Sequence, residues 1–379
     1  MHYFLIAGEA SGDLHGGDLI CELRKADPGA IFTFFGGDAM AAAAGCEPIV
    51  HYRDMAYMGF TEVIKNIGTI GAILTKARDT LLLSAPDALI LIDYPSFNLK
   101  VAETAYRNHI PVYYYISPKI WAWKKWRLKT IRHLVRRVFS ILPFEPAFYR
   151  ANGGSATYVG NPSVAEVDAA LAAAPSRKEF LEANNLPDKP LVALLPGSRK
   201  NEIRRNLEIM CDALDLFPRY EGVIIGAPGI DDALYAELGA RRPVVRAPHA
   251  AHILAHCRAA LVTSGTATLE TALAGVPQVA LYRGAGSSVV YGIMSHILSI
   301  PYVTLPNLIA DAPVIPELLM HKCTALSTAA ALGAILPDSK ERAAQLRGYA
   351  EVRRRLGTTP AAATAAAAIL SDLRPLVSK

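Results

Sequence analysis

The chain has no apolar run long enough to cross a bilayer as a helix. Its longest, 85–92 and the alanine-rich stretch near Ala363, are too short or too interrupted. On this reading an integral membrane protein is excluded. No basic segment precedes the apolar run that begins at Tyr3, and Glu9 follows closely, so no signal peptide is expected and the cytosol is the expected compartment. Cysteine is scarce. The five residues (Cys21, Cys46, Cys211, Cys257 and Cys323) are odd in number, lie far apart, and form neither a CxxC pair nor a Cys/His cluster of metal-ligand spacing. Free buried thiols and no metal site are expected. Walker A, GxGxxG, RNP, KH and zinc-finger signatures are also missing.

What is present is a 379-residue chain, 52% hydrophobic and 19% charged, which is two ordinary domains' worth of sequence and excludes disordered, collagen-like and coiled-coil classes. Its formal charge of +5 is local. Lys124, Lys125, Arg127, Lys129, Arg132, Arg136 and Arg137 form a run without an acid, and without those seven the remainder carries −2. Trp126, Leu128, Ile131, Leu134 and Val135 interleave the run at spacings that fit one helical face. A solvated helix face, an anionic membrane surface and RNA are the three readings. In the absence of any nucleic-acid signature, membrane is the better of the two partner classes.

Short apolar runs ending in Gly, Ser, Asp or Pro alternate with longer helical stretches, the pattern of parallel α/β sheets. One set of predicted strands is 3–7, 31–35, 88–92, 112–116, 138–142 and 157–159. A second is 191–195, 223–225, 260–262, 278–282 and 303–305. Between them, 161–189 holds Pro162, Pro175 and Pro187 and reads as a connector. Two Rossmann-like domains follow, and open sheets of this kind bind ligands at the carboxyl ends of their strands.

The loops at those ends are polar or glycine-rich. The first run leads into Gly8-Glu9-Ala10-Ser11-Gly12-Asp13, where glycines allow close approach and Ser11 or Asp13 equally suits helix capping. The run 88–92 ends in Asp93, placed for a general base or for a turn before Tyr94-Pro95. Ser117 and Trp121 stand just ahead of the basic run. In the second set, Gly197-Ser198-Arg199 with Glu202, and Ser264-Gly265-Thr266 with Thr268 and Glu270, each open a helix after a strand. Free amides, hydroxyls and a guanidinium there suit a nucleotide diphosphate, with Glu270 on the ribose; ordinary helix capping is the alternative for each turn taken alone. Asn307 marks a third such loop.

In order along the chain, GEASGD (8–13), GGDAM (36–40), MGFTEV (58–63), DYPSFN (93–98), SPKIWAW (117–123), LPFE (142–145), VGNP (159–162), LPGSR (195–199), SGTATLE (264–270), LPN (305–307) and PELL (316–319) resemble the lipid-A-disaccharide synthases. The resemblance implies a GT-B architecture: two Rossmann-like domains with parallel sheets facing an inter-domain cleft. An N-terminal acceptor and lipid domain spans 1–165, a UDP-sugar domain spans 166–344, and a C-terminal helix from about 345 to 379 crosses back to the first.

The same resemblance implies transfer of 2,3-diacylglucosamine from UDP-2,3-diacylglucosamine to the 6-hydroxyl of 2,3-diacylglucosamine 1-phosphate (lipid X), with inversion and with neither metal nor cofactor. The expected partners are those two glycolipids and the cytoplasmic surface of the inner membrane, bound peripherally, with no nucleic acid; a homodimer is left open. Asp93 is the expected base and Glu9 its rival. Ser11, Asp13, Asn98, Ser117, Trp121, Met58 and Phe60 are expected on the acceptor side. Gly197, Ser198, Arg199, Glu202, Ser264, Gly265, Thr266, Thr268, Glu270 and Asn307 are expected around UDP. Met55, Tyr57, Met58, Phe60, Val63 and Ile64 offer an apolar surface for acyl chains, with core packing as the alternative. Ser96 and Asn161 depart from the family strings, and without an acid at Ser96 the expectation is that Asp93 has no carboxylate neighbour raising its pKa. The runner-up is another GT-B enzyme, a transferase or epimerase, acting on a soluble UDP-sugar.

Overall fold

The computed structural model describes residues 1–55, 67–123, 126–283, 301–337 and 339–377. These form two compact units, one of Met1–Pro162 with Thr358–Lys379, the other of Ser163–Gly357.

The first unit holds a sheet of β1 (His2–Ala7), β2 (Ile31–Gly36), β3 (Val50–His51), β4 (Ala88–Ile92), β5 (Val112–Tyr115), β6 (Arg137–Ser140) and β7 (Thr157–Tyr158). The spatial order is β3-β2-β1-β4-β5-β6-β7, and every pairing is parallel. Both faces are covered, which explains why β4, Ala-Leu-Ile-Leu-Ile, is apolar at every position. Alternate side chains feed two cores. Tyr3, Leu5, Ile90 and Ile92 pack with the helix Ala10–Ala26, while Phe4, Ile6, Leu89 and Leu91 pack with the helices Pro95–Arg107 and Arg127–Leu134.

The chain returns to this unit through the helix Ala361–Val377, whose Ala365, Ala366, Ile369, Leu370 and Leu373 complete the first core. Asp372 on that helix accepts from the Tyr113 hydroxyl at 2.7 Å and pairs with Arg136, so one cation of the basic run has a structural partner. The return is shorter than the stretch from 345 read in the sequence. Gly357, at φ 64°, ends the helix Lys340–Leu356, which belongs to the second unit.

The second unit holds β8 (Leu191–Leu195), β9 (Glu221–Ile225), β10 (Val244–Val245), β11 (Cys257–Thr263), β12 (Gln278–Tyr282) and β13 (Glu317–Leu319). Their order is β10-β9-β8-β11-β12-β13, again all parallel. The region read as a connector supplies the helices Pro162–Ala172 and Arg177–Ala183. The strand expected at 303–305 is not formed. Pro306 sits in the first turn of a helix, Leu305–Ala310, and the amides of Val303 and Thr304 are taken by the Glu317 carboxylate rather than by a ladder. The last strand of the sheet is instead β13, which pairs with β12.

Candidate active site

Each sheet reverses its winding direction once: between β1 and β4 in the first unit, and between β8 and β11 in the second. At such a switch point the loops leaving two adjacent strands diverge and open a crevice. In the first unit these loops carry Glu9 and Asp93; in the second, Gly197 to Arg199 and Ser264 to Thr266.

Asp93 and Tyr94 both adopt left-handed backbone, at φ 43° and 49°. For residues with a Cβ this costs on the order of 1–3 kcal/mol each, so the surroundings must hold it. They do so at the Asp93 carbonyl, which accepts from Asn98 Nδ2 at 2.7 Å and from the Tyr114 hydroxyl at 2.6 Å. Asn98 is fully buried and also donates to the Ile92 carbonyl, so its amide serves the turn. Gly8 makes room from the other side, with the Tyr94 ring lying against it.

The half-buried Asp93 carboxyl has its pKa raised, first by desolvation and then by the Glu9 carboxylate; Lys119, the Tyr94 amide and His15 oppose the rise. Glu9 is therefore the neighbouring carboxylate that the sequence reading, looking only at Ser96, expected to be missing. Ser96 itself accepts from Arg127 Nη2 at 2.9 Å, which gives this second cation of the basic run a structural partner as well.

Ser11 is exposed beside Glu9, whereas Asp13 is buried. Its carboxylate accepts from Gly37 N at 2.6 Å, Ala39 N at 3.0 Å and Met40 N at 3.2 Å, capping the helix Asp38–Ala44. The GEASGD and GGDAM strings are thus two halves of one interaction. Ser117 and Trp121 follow β5 and are buried, with Trp121 Nε1 donating to Glu145 at 3.0 Å. Met58 and Phe60 lie outside the described residues, as do Tyr57, Val63 and Ile64. Met55 is described, and it packs into the core rather than forming a surface. Leu128, Ile131 and Leu134 also face the core, while Trp126 is exposed.

In the second unit, Gly197 has φ 129° and no space for a side chain: a β-carbon there would lie 2.5 Å from Cβ of Glu202. The Glu202 carboxylate accepts from Ser198 N at 3.0 Å and Arg199 N at 3.3 Å, and pairs with the Arg199 guanidinium at 3.1 Å. An acid so placed caps the helix Lys200–Asp215 and orients Arg199, which stands exposed. Ser264 follows β11, with Gly265 and Thr266 exposed in the turn after it; the space where a Gly265 side chain would lie is open. Thr268 is buried with its hydroxyl on the Gly265 carbonyl at 2.8 Å, so it shapes the turn from within. Glu270 is half-buried two residues beyond.

Asn307 is buried and fully engaged. It donates to the Ile315 carbonyl at 2.9 Å and Glu317 at 3.0 Å, and accepts from Ile315 N at 2.8 Å. Sequence reasoning missed Asn206, which ties the two second-unit loops together by donating to the Pro196 carbonyl at 3.3 Å and to Thr263 Oγ1 at 2.9 Å. It also missed Tyr114, Glu145 and Glu317. Only Glu145 and Glu317 carried a signal, since they fall inside the LPFE and PELL strings.

Two doubly wound units, each of parallel strands with one switch point, define the α/β architecture of the GT-B class. The fold is shared with UDP-GlcNAc 2-epimerase from Neisseria meningitidis bound to UDP-GlcNAc (TM-score 0.68, 12% identity, all of both chains) and with the glycosyltransferase of kitacinnamycin (TM-score 0.63, 14% identity, 98% of this chain and 99% of the other). At those identities the likeness concerns fold alone.

The chain belongs to the lipid-A-disaccharide synthetase family, whose model matches residues 3–369. It is 39% identical over 382 residues to the lipid-A-disaccharide synthase of Myxococcus xanthus, covering 98% of this chain and 97% of that one. It is 38% identical over 380 residues to that of Acidobacterium capsulatum, covering 96% and 93%. No helix among the described residues is long and apolar enough to cross a membrane.

Proposed function

We propose that the protein joins two diacylglucosamine units. UDP-2,3-diacylglucosamine is the donor, 2,3-diacylglucosamine 1-phosphate is the acceptor, and UDP and the β-1,6-linked disaccharide 1-phosphate are the products. The observation that carries this reading is Asp93: a half-buried carboxylate in a strained turn clamped from beneath, at the switch point of a chain matched by the family along nearly its whole length.

In this reading the first unit binds the acceptor, with Ser11 beside it. Asp93 takes the proton of the 6-hydroxyl as that oxygen forms its bond to the anomeric carbon from the face opposite the diphosphate. The anomeric carbon–oxygen bond breaks, its electron pair leaves with UDP, and the configuration inverts. Glu9 shapes the charge at Asp93. In the second unit Arg199, the amides of the Ser198 turn and the Ser264 to Thr266 turn hold the diphosphate as its charge grows, with Glu270 toward the ribose. Glu202, Thr268 and Asn307 set the shape of these loops. The enzyme works at the cytoplasmic face of the inner membrane, where its acylated substrates reside.

The test is UDP release from the two glycolipids in detergent micelles, with and without EDTA, and with the product weighed by mass spectrometry. Disaccharide formation that survives EDTA is expected. UDP binding without product overturns the assignment of substrates.

A further inference from the structure

Glu145 is a buried acid to which the scheme above gives no role. It begins the helix Glu145–Ala151, is 1% exposed, and lies under the loop that leaves β5. Trp121 Nε1 donates to it at 3.0 Å, and the Trp121 ring meets Phe144 edge-on at 5.1 Å. Outside its own segment, the polar groups that bear most on it lie in one stretch of five residues: Ser117, Lys119 and Trp121. Its own segment adds the Leu142 backbone and Tyr149.

That stretch is also the neighbour of Asp93. β5 pairs with β4 in a register that sets Tyr115 beside Ile92, and the Asp93 amide donates to the Tyr115 carbonyl at 3.4 Å. Lys119, exposed on the loop, acts on both the Asp93 and Glu145 carboxyls. The charge of Lys119 thus lowers the pKa of both acids, one at the exit of β4 and one buried beyond the loop.

We propose that Glu145 is a positioning residue for the transfer: by gripping the Trp121 indole from below, it fixes the loop of residues 117–121 and thereby sets Lys119 against Asp93. The arrangement works while Glu145 is neutral. Burial pushes its pKa up to about 8, against the lowering influence of Trp121, Ser117, the Leu142 backbone and Lys119. Once ionised, Glu145 becomes a second anion that competes with Asp93 for Lys119. The inference rests on Asp93 being the base.

The experiment measures kcat and both KM values from mildly acidic pH to about pH 9.5 for the wild type, Glu145→Gln, Glu145→Leu and Asp93→Asn. Wild-type kcat is expected to fall above about pH 8. Glu145→Gln keeps an acceptor for the indole and cannot ionise, so its kcat should stay within about threefold of wild type at neutral pH and lack the alkaline fall. Glu145→Leu removes the grip. Its kcat should drop roughly tenfold or more with the donor KM unchanged and the tryptophan emission shifted.

An alkaline fall in Glu145→Gln identical to wild type overturns the proposal, as does wild-type kcat in Glu145→Leu. If the leucine variant does not fold, the glutamine profile decides. Normal turnover by Asp93→Asn would refute the base assignment instead, and is read separately from either Glu145 result.

Discussion

A β-carbon added to Gly8 would sit 2.3 Å from Cδ1 of the Tyr94 ring. The exits of β1 and β4 therefore interlock: the ring occupies the space left by the missing side chain, and its hydroxyl donates to the Met55 carbonyl at 3.1 Å. Tyr94 follows Asp93, so this contact locates the proposed base. Gly8→Ala must push the ring away, and with it the turn. We expect kcat to fall about tenfold to a hundredfold, the cost of an ångström-scale misplacement. Replacing Tyr94 by Ala in the same chain removes the clash, so the two changes should be strongly non-additive in a double-mutant cycle.

Asp93→Asn keeps the size of the side chain and removes its basicity. Turnover should fall by about 10²–10⁴-fold while UDP affinity, which the proposed scheme gives to the other unit, stays the same. The wild-type acid limb supplies a second check. The carboxyl's pKa is raised, so the base is lost as pH falls through a value above the ordinary 3.8. Replacing Glu9 by Gln removes one raising influence and should move the limb toward lower pH. A limb unmoved by that change would separate Glu9 from Asp93.

Arg199 is exposed, and its guanidinium pairs with Glu202 at 3.1 Å. Arg199→Ala should weaken UDP binding by about 1.5–3 kcal/mol, roughly tenfold to a hundredfold, as measured by calorimetric titration. Melting temperature should hardly change, because an exposed ion pair contributes little to stability. Unchanged affinity would remove Arg199 from the diphosphate site.

The strand exits were legible because each apolar run stops at a residue that cannot continue it: Gly8, Asp93, Pro196 and Ser264. Charged groups at those exits were legible for the same reason, and the all-parallel pairing follows from runs that are apolar on both faces. What stayed hidden depends on distant backbone. Nothing in GEASGD says that Asp13 caps a helix beginning at Asp38, or that Asn98 and Tyr114 converge on one carbonyl. Val303 to Leu305 read as a strand because β-branched residues precede the proline; the Glu317 carboxylate, more than ten residues away, takes the amides that a ladder would need.

Asp13→Ala tests the first of those hidden contacts. Three amides of the 37–40 turn lose their acceptor, and Gly37 and Met40 donate to it in a buried setting. Capping losses and an unsatisfied buried donor together predict about 2–3 kcal/mol of destabilisation, visible as a lowered urea midpoint. Asp13→Asn retains one acceptor oxygen and should recover part of it. If Asp13 instead touched substrate, the acceptor KM would rise with no change in that midpoint.

Glu145 also predicts how stability depends on pH. Its ordinary pKa is 4.5, and burial raises it to about 8 in the fold, so the folded protein holds a proton that the unfolded chain has released between those values. Stability tied to this group is complete below the unfolded value and is lost as pH climbs through the folded one. The wild type should therefore have a lower urea midpoint at about pH 9 than at about pH 6, beyond any change shared with a variant that cannot titrate there. Glu145→Gln is that variant, and its midpoint should be nearly level across the same interval. An equal decline in both proteins would mean that the carboxyl ionises in the fold near its ordinary value, with Trp121 donating to a carboxylate from the start.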